Sequence, residues 1–378
     1  MKKEYKIVLV AGVFYLIYVL LFLARFNFNP SAAIELSEDY IDLYQGPLPS
    51  GLVVQLNSDG YDGQYYYLTA IDVLHDRTLT TSYRYKRIFY PLLAHIFSLG
   101  NPALVPWFLL LINYVSILWG TYILLLLLKK YKAELNLAYL FAFNVGFLIC
   151  MVRDLCEPLL LLFILLSLYC WEKERYKASS LLLALAVLTK EAALAVIFPL
   201  FLYFLIKRNF RNMVIYSLPV AVYLIWQFII FIKLGKFPLT QTVGWVSFPL
   251  AGIIDYLSWV RYPQSLQELY FYYSVVPVLL FSGLQLRVLF KSKPVNWSPY
   301  FILLFCQLFF ILGLSLKFYS ALIDSLGRQA IPLFLFSILS CAERKERYNS
   351  LLALLMFLMS LGYFFQKIII FRVEYFVT

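Results

Sequence analysis

Charge is scarce in this sequence. Only 14% of its 378 residues are Asp, Glu, Lys or Arg, where a soluble domain carries about 25%. That excludes an ordinary water-facing surface over most of the chain. Histidine is scarcer, with His75 and His95 alone and without metal-ligand spacing. Five cysteines (Cys150, Cys156, Cys170, Cys306 and Cys341) lie in or beside apolar runs, with no Cys-x-x-Cys or His/Cys pattern. Neither a disulfide framework nor a zinc site is indicated. The net charge of +11 does not point to nucleic acid. The basic residues fall mostly between apolar runs, where they fix topology and meet anionic lipid. A separate soluble domain is lacking, as is the internal repeat that marks many secondary transporters.

What is abundant is apolar. Hydrophobic residues make up 62% of the chain and mean hydropathy is +0.78. Apolar runs approaching the roughly 20 residues of a membrane helix recur along it. The expected fold is an all-α polytopic membrane protein with about eleven transmembrane or re-entrant helices. They fall near 7–24, 104–128, 135–152, 157–171, 179–189, 192–206, 213–232, 269–287, 299–316, 329–341 and 351–371. The first run, "IVLVAGVFYLIYVLLFLA", is too long for the core of a signal peptide and no small-residue cleavage site follows it. It reads as a retained helix.

Basic clusters set the orientation. Lys2/Lys3/Lys6, Lys129/Lys130/Lys132, Lys173/Arg175/Lys177, Lys207/Arg208/Arg211, Arg287/Lys291/Lys293 and Arg344/Lys345/Arg347 all fall on one side. By the positive-inside rule that side is cytoplasmic, with the N-terminus inside and the C-terminus outside. Residues 179–206 have two basic flanks and are too short for two full spans. They predict a re-entrant hairpin of two short helices with "TKE" (Thr189, Lys190, Glu191) at the outward turn. One long tilted helix is the lesser alternative, because it breaks the charge pattern. Residues 25–103 and 233–268 form two long extracytoplasmic loops within a single membrane domain. The first holds "SYRYKRIFYPLLAHIF", patterned as a helix lying on the membrane surface.

The residues with chemical potential all land on the outer side. "SDGYDGQYYYLTA" (58–70) holds Asp59, Asp62 and Gln64 beside Tyr61, Tyr65, Tyr66 and Tyr67. Turn chemistry explains Asp-Gly twice but not four tyrosines. Aromatic faces and hydroxyl donors beside a carboxylate suit a sugar. "SYRYKRIFYP" adds Arg84, Tyr85, Lys86 and Arg87, either meeting lipid headgroups or gripping a lipid phosphate. "MVRDLCEP" adds Arg153, Asp154 and Glu157, boundary charges that either end two helices or form a site. Lys190 and Glu191 are an ion pair in a turn or part of the same site. Arg328 in "SLGRQAIPL" either snorkels or contacts phosphate. Asp59, Asp154 and Glu157 offer hard oxygen ligands that would suit Mg or Mn. The sequence leaves open whether any ion binds.

With those segments in place, the chain resembles glycosyltransferases of the GT-C superfamily. "YDGQYYY" and "RYKRIFYPLLA" resemble the paired first-loop elements of those proteins, including the tyrosine-arginine-tyrosine element of GPI mannosyltransferases. "RDLCEPLLLLF" resembles their second outer loop, and "LTKEAAL" a short element common in bacterial members. The resemblance implies a prokaryotic plasma-membrane enzyme that moves a hexose from a polyprenyl-phosphate-linked donor to a glycan, lipid or protein acceptor outside the cell, with inversion. It implies Asp62 as the first-loop general base and Asp154 or Glu157 as the second-loop acid. Tyr61, Gln64, Tyr66, Arg84, Tyr85, Arg87, Arg153, Lys190, Glu191 and Arg328 would bind substrate. The chain departs from many members in lacking an extra C-terminal extracytoplasmic domain. A transporter or flippase of lipid-linked glycans, and a polysaccharide polymerase or ligase, are the alternative functions. The transporter reading predicts charges deep within spans.

Overall fold

A computed structural model describes residues 2–43, 48–73, 82–235, 237–238, 247–259, 275–291, 298–315, 322–370 and 373–378. Eighteen α-helices are defined among them. In chain order they are α1 (Lys3–Leu23), α2 (Glu38–Leu43), α3 (Asp62–Ile71), α4 (Phe89–Phe97), α5 (Val105–Lys130), α6 (Leu137–Ala142), α7 (Val145–Met151), α8 (Glu157–Trp171) and α9 (Tyr176–Thr189). They continue as α10 (Leu194–Ile206), α11 (Phe210–Ile215), α12 (Leu218–Leu234), α13 (Ala251–Trp259), α14 (Val275–Lys291), α15 (Pro299–Leu312), α16 (Leu322–Gln329), α17 (Ile331–Arg344) and α18 (Ser350–Phe365).

Five helical stretches are long and apolar enough to cross a membrane: Lys3–Phe26, Val105–Lys130, Phe210–Leu234, Ser325–Arg344 and Ser350–Ile369. Five shorter apolar helices accompany them, among them Glu157–Trp171, Tyr176–Thr189 and Glu191–Ile206. The outward faces are apolar. Leu9, Val13, Leu16 and Ile17 on α1, Ile225, Phe228 and Ile232 on α12, and Leu354, Phe357 and Leu358 on α18 are all exposed. Such continuous apolar faces are stable only where the solvent is lipid. The chain is an integral membrane protein.

Polar contacts hold the helices together inside, where lipid supplies no hydrophobic drive. The Tyr15 hydroxyl donates to the Ala142 carbonyl at 2.7 Å and the Tyr114 hydroxyl to the Gly12 carbonyl at 3.1 Å. Ser167, Ser179 and Tyr216 form a buried hydroxyl chain at 2.8 and 2.5 Å. The predicted hairpin is present as a turn in the chain. Helix α9 ends at Thr189, a short 3-10 turn covers Glu191–Ala193, and α10 runs back. Tyr176 at the start of α9 and Phe204 near the end of α10 have ring centroids 5.4 Å apart, which one continuous helix forbids.

A small sheet was not anticipated. Strands β1 (Leu36–Ser37), β2 (Val53–Gln55) and β3 (Tyr375–Val377) lie in the order β1-β2-β3. The β1/β2 pair is parallel, with Leu36 opposite Val54. The β2/β3 pair is antiparallel, with Val53 opposite Val377. The last strand thus closes over the first loop. Two- and three-residue strands leave no periodic signature in sequence. Residues 236, 239–246 and 260–268 of the second long loop lie outside the described residues.

The two ends of the bundle differ. Lys3, where α1 begins, lies near the end of α5, since Lys129 pairs with Glu4 at 2.9 Å. Lys130 and Tyr131 both bind Glu172 there, and the Tyr300 hydroxyl joins them at 2.8 Å. The opposite end holds α3, the start of α8, the α9/α10 turn and α16.

Candidate functional site

The site is built on α3, and its two glycines explain why the helix starts where it does. A Cβ at Gly60 would stand 2.6 Å from the Glu35 carbonyl oxygen, and Gly60 has a left-handed φ of +68°. A Cβ at Gly63 would stand 2.5 Å from the Arg153 carbonyl oxygen and 2.7 Å from that of Ile34. The first turn of α3 therefore presses directly onto the 152–156 loop. That contact carries Asp62, the first residue of α3, into reach of charges from distant segments.

Three guanidinium groups converge on Asp62. Arg84 donates to it at 2.5 Å and Arg328 at 3.0 Å, and Arg87 stands 3.8 Å away. Each arginine is shared. Arg87 makes a bidentate pair with Glu191, at 2.9 and 2.7 Å, and donates to the Tyr66 hydroxyl at 3.3 Å. Arg328 also donates to Glu157 at 3.1 Å, and Lys190 pairs with Glu157 at 2.6 Å. Arg84 lies over the Tyr65 ring, 3.8 Å from its centroid. Lys86, almost wholly buried, pairs with Glu191 at 3.3 Å.

A second branch runs through Tyr61. Arg153 lies 4.0 Å and Arg328 5.3 Å from the centre of its ring. Arg153 pairs with Glu35 at 3.3 Å, and Glu35 pairs with Lys367 at 2.5 Å. Lys367 sits in a single π-turn, Gln366–Ile370, that follows α18.

Seven cations (Arg84, Lys86, Arg87, Arg153, Lys190, Arg328, Lys367) thus face four carboxylates (Asp62, Glu157, Glu191, Glu35). Three positive charges are in excess. Their openness is uneven: Asp62, Arg84 and Glu191 keep 15%, 19% and 22% of their side chains exposed, while Glu157 keeps 4%. The site therefore opens at the Asp62–Arg84–Glu191 face. Desolvating this many charges is costly, and such clusters mark functional sites more often than structural ones.

The electrostatics follow from the geometry. Burial alone would raise the Asp62 carboxyl, but Arg84, Arg328 and Arg87 outweigh it and hold Asp62 far below the usual carboxylate range. Burial also opposes ionisation of Glu35, where Arg153 and Lys367 win and keep it ionised. Burial lowers Lys86 to about 8, against the pull of Glu191. Asp154 behaves oppositely. It is fully buried, its carboxyl oxygens meet no hydrogen-bond partner among the described residues, and its backbone is left-handed at φ 46°. Burial, reinforced by the Glu35 charge, pushes its carboxyl well up.

Of the fourteen residues given a catalytic or substrate-binding role from the sequence, ten meet here: Tyr61, Asp62, Tyr66, Arg84, Arg87, Arg153, Glu157, Lys190, Glu191 and Arg328. Four stand apart. Asp59 is exposed. Gln64 is buried and ties the loop to itself, accepting from the Ser37 amide at 3.2 Å and donating to the Asp59 carbonyl at 3.2 Å. Tyr85 is buried, and its carbonyl accepts from the Trp226 indole at 2.9 Å. Asp154 is fully buried, and its carboxyl oxygens bond to none of the cluster's cations among the described residues. Asp59, Asp154 and Glu157 therefore differ in setting: exposed, buried and unpaired, and held by two cations. Among the described residues no group of three His, Cys, Asp or Glu stands close enough to hold a metal ion.

Sequence reasoning missed Glu35, Lys367 and Cys156, whose thiol meets the Tyr66 hydroxyl at 3.0 Å. Lys367 carried a usable signal, a lone lysine inside the apolar run "YFFQKIIIF". Glu35 carried none.

No protein-family model matches the chain, and no curated protein matches it. Solved structures similar to it include two of one protein. One is ArnT from Cupriavidus metallidurans bound to undecaprenyl phosphate, at 14% identity and a TM-score of 0.46, covering 85% of this chain and 60% of that one. The other is ArnT from the same organism in the apo state, at 13% identity and a TM-score of 0.46, covering 93% of this chain and 76% of that one. The chain spans 60% of the length of the first.

Proposed function

We propose that this protein transfers a hexose from a polyprenyl-phosphate-linked donor to an acceptor hydroxyl on the extracytoplasmic face. One observation carries the reading: a cation-rich cluster centred on Asp62, open to solvent at one end of an apolar helix bundle. Lipid-facing helices suit the tail of such a donor, and the excess positive charge suits its phosphate. Tyrosine rings beside a carboxylate suit the sugar. A transporter would place its charges at mid-span, whereas these gather at one end.

The step balances without a cofactor. The acceptor oxygen attacks the anomeric carbon from the face opposite the phosphate. The bond from the anomeric carbon to the phosphate oxygen breaks, and its electron pair stays on the phosphate. Arg84, Arg87, Arg328 and Lys86 stabilise that charge as it develops. The acceptor proton passes to the Asp62 carboxylate, and the anomeric centre inverts. Phosphate needs no acid to leave, so one base suffices.

The charge pattern also orients the chain. Lys129, Lys130, Lys173 and Arg208 belong to the end opposite the site, and the positive-inside rule makes that end cytoplasmic. A cysteine placed at Ser58 would then react with an impermeant thiol reagent in intact cells, and one at Asn209 would not. The reverse labelling would overturn the orientation.

The functional test is reconstitution with a polyprenyl-phosphate hexose and measurement of sugar transfer, together with mass spectrometry of co-purified lipid. The reading requires the wild-type protein to bind polyprenyl phosphate and transfer sugar. It also requires Asp62→Asn to keep the binding and lose the transfer. A protein that binds no polyprenyl phosphate, or that moves the intact lipid between leaflets without transfer, overturns it.

A further inference from the structure

Asp62 as it stands is a poor base. A general base works best when its proton affinity lies near the operating pH, and three guanidiniums suppress that of Asp62. We propose that the donor's own phosphate switches the base on, by drawing Arg84 and Arg328 away from Asp62. The inference rests on the transferase reading and concerns how that same site is regulated.

The geometry supplies the means. Arg84 and Asp62 form the open face, with 19% and 15% of their side chains exposed, so an incoming anion meets this pair first. Arg84 reaches Asp62 through one nitrogen at 2.5 Å while its plane rests on Tyr65. It can pivot on that ring without losing the stacking contact. Arg328 is already divided between Asp62 at 3.0 Å and Glu157 at 3.1 Å. Leaving Asp62 does not strand it. Arg87 is anchored by its two bonds to Glu191 and stays 3.8 Å from Asp62. A phosphate at the open face therefore competes for two of the three arginines, and guanidiniums pair well with its planar oxygen edges.

The other charges facing Asp62 do not reverse this. Lys190 bears on it from the α9/α10 turn but is held by Glu157 at 2.6 Å. Tyr66, on the same helix, and Glu157, on α8, add no positive charge. Each guanidinium lost raises the proton affinity of Asp62 by roughly 1–3 pH units. The order of events is then fixed. Donor binds, the arginines turn, Asp62 becomes a base, and the acceptor hydroxyl is deprotonated as it attacks. When the lipid phosphate departs, the arginines close on Asp62 again. Acceptor bound before the donor meets no base.

The test reads the ionisation of Asp62 directly. Infrared difference spectra of the reconstituted protein would be titrated with pH, without ligand and with saturating farnesyl phosphate, and Asp62→Asn would assign the carboxyl band. Binding of farnesyl phosphate is measured separately on the same samples. Without ligand, Asp62 should stay ionised through the whole accessible acid range. With farnesyl phosphate a protonated Asp62 band should appear within that range, each withdrawn guanidinium being worth roughly 1–3 units. In Arg84→Gln the ligand-free titration should already sit higher, while the Michaelis constant for donor rises. If farnesyl phosphate binds and the Asp62 titration stays unmoved, the switch is wrong and the transferase reading stands. If farnesyl phosphate does not bind at all, the transferase reading itself fails.

Discussion

The two ends of the helix bundle carry similar residues and treat them oppositely. At the end holding α3 and α16, charges are folded inward, and Arg328 touches two carboxylates at once. At the other end, Lys129 and Lys130 keep 64% and 47% of their side chains exposed, though each has an acidic partner. Both ends contain ion pairs, so pairing does not distinguish them. Burial and convergence do. An exposed pair is screened and contributes little. A buried one is costly to assemble and costlier to break from one side. That asymmetry says where substitutions should matter.

The largest expected effect is at Asp62. Asp62→Asn should lower the rate of sugar transfer by roughly 10²–10⁴-fold while binding of polyprenyl phosphate persists. A rate within a few-fold of wild type would remove Asp62 from the chemistry.

Arg328→Gln should come next, read as stability. It strips one shared cation from Asp62 and Glu157, and breaking a buried pair from one side costs about 3–5 kcal/mol. Thermal unfolding in detergent should show a clear fall. An unchanged midpoint would mean that the cluster is wetter than its burial suggests.

Gly63→Ala should be smaller, because the added methyl meets backbone oxygens at 2.5 and 2.7 Å and the first turn of α3 must shift. Overpacking of this kind costs about 1–3 kcal/mol. Transfer should fall more than stability, since Asp62 is displaced. Equal loss of both would make the contact purely structural.

A pH dependence should separate binding from folding. Lys86 titrates at about 8 in the folded protein, against about 10.4 for an ordinary lysine. Between those values the unfolded chain holds the extra proton, so this group's contribution to stability rises with pH. Anion binding should do the reverse, because the cation is lost above about 8. Affinity for polyprenyl phosphate should therefore weaken a few-fold as pH rises through that value, and Lys86→Arg should flatten the curve. A limb that persists in Lys86→Arg would assign the titration elsewhere.

The smallest effect is expected at the other end. Lys129→Gln removes the pairing with Glu4 and should leave both the unfolding midpoint and the transfer rate unchanged within error. A substantial loss there would dissolve the contrast between the ends.

Much of this site was legible because membrane chains make charge conspicuous. Arg153, Glu157, Lys190 and Arg328 each interrupt or border an apolar run, and in lipid that is costly enough to signal a purpose; Asp62 stood out instead by its four neighbouring tyrosines. The same logic favoured the α9/α10 turn over one long tilted helix, because only the turn keeps both basic flanks of "TKE" on one side. It placed Gln64 among the substrate-binding residues, whereas its side chain is bonded to its own loop; composition does not distinguish that from a side chain that faces a ligand. Asp154 and Glu157 are three residues apart, which would put them on one face if both were helical. The helix begins only at Glu157, and the left-handed Asp154 falls just outside that helix. The i,i+3 argument holds only inside a helix.

By itself the sequence determined that this chain lives in a membrane and that its charges gather between apolar runs. These are consequences of local composition, because lipid rejects charge wherever it occurs along the chain. Only the tertiary structure decided which cation meets which carboxylate. Asp62 and Arg328 are 266 residues apart and bond at 3.0 Å. Glu35 and Lys367 are 332 residues apart and bond at 2.5 Å. Such pairings depend on how helices and loops dock, down to a glycine at position 63 that lets two backbones touch. No local pattern in a single chain encodes that distance.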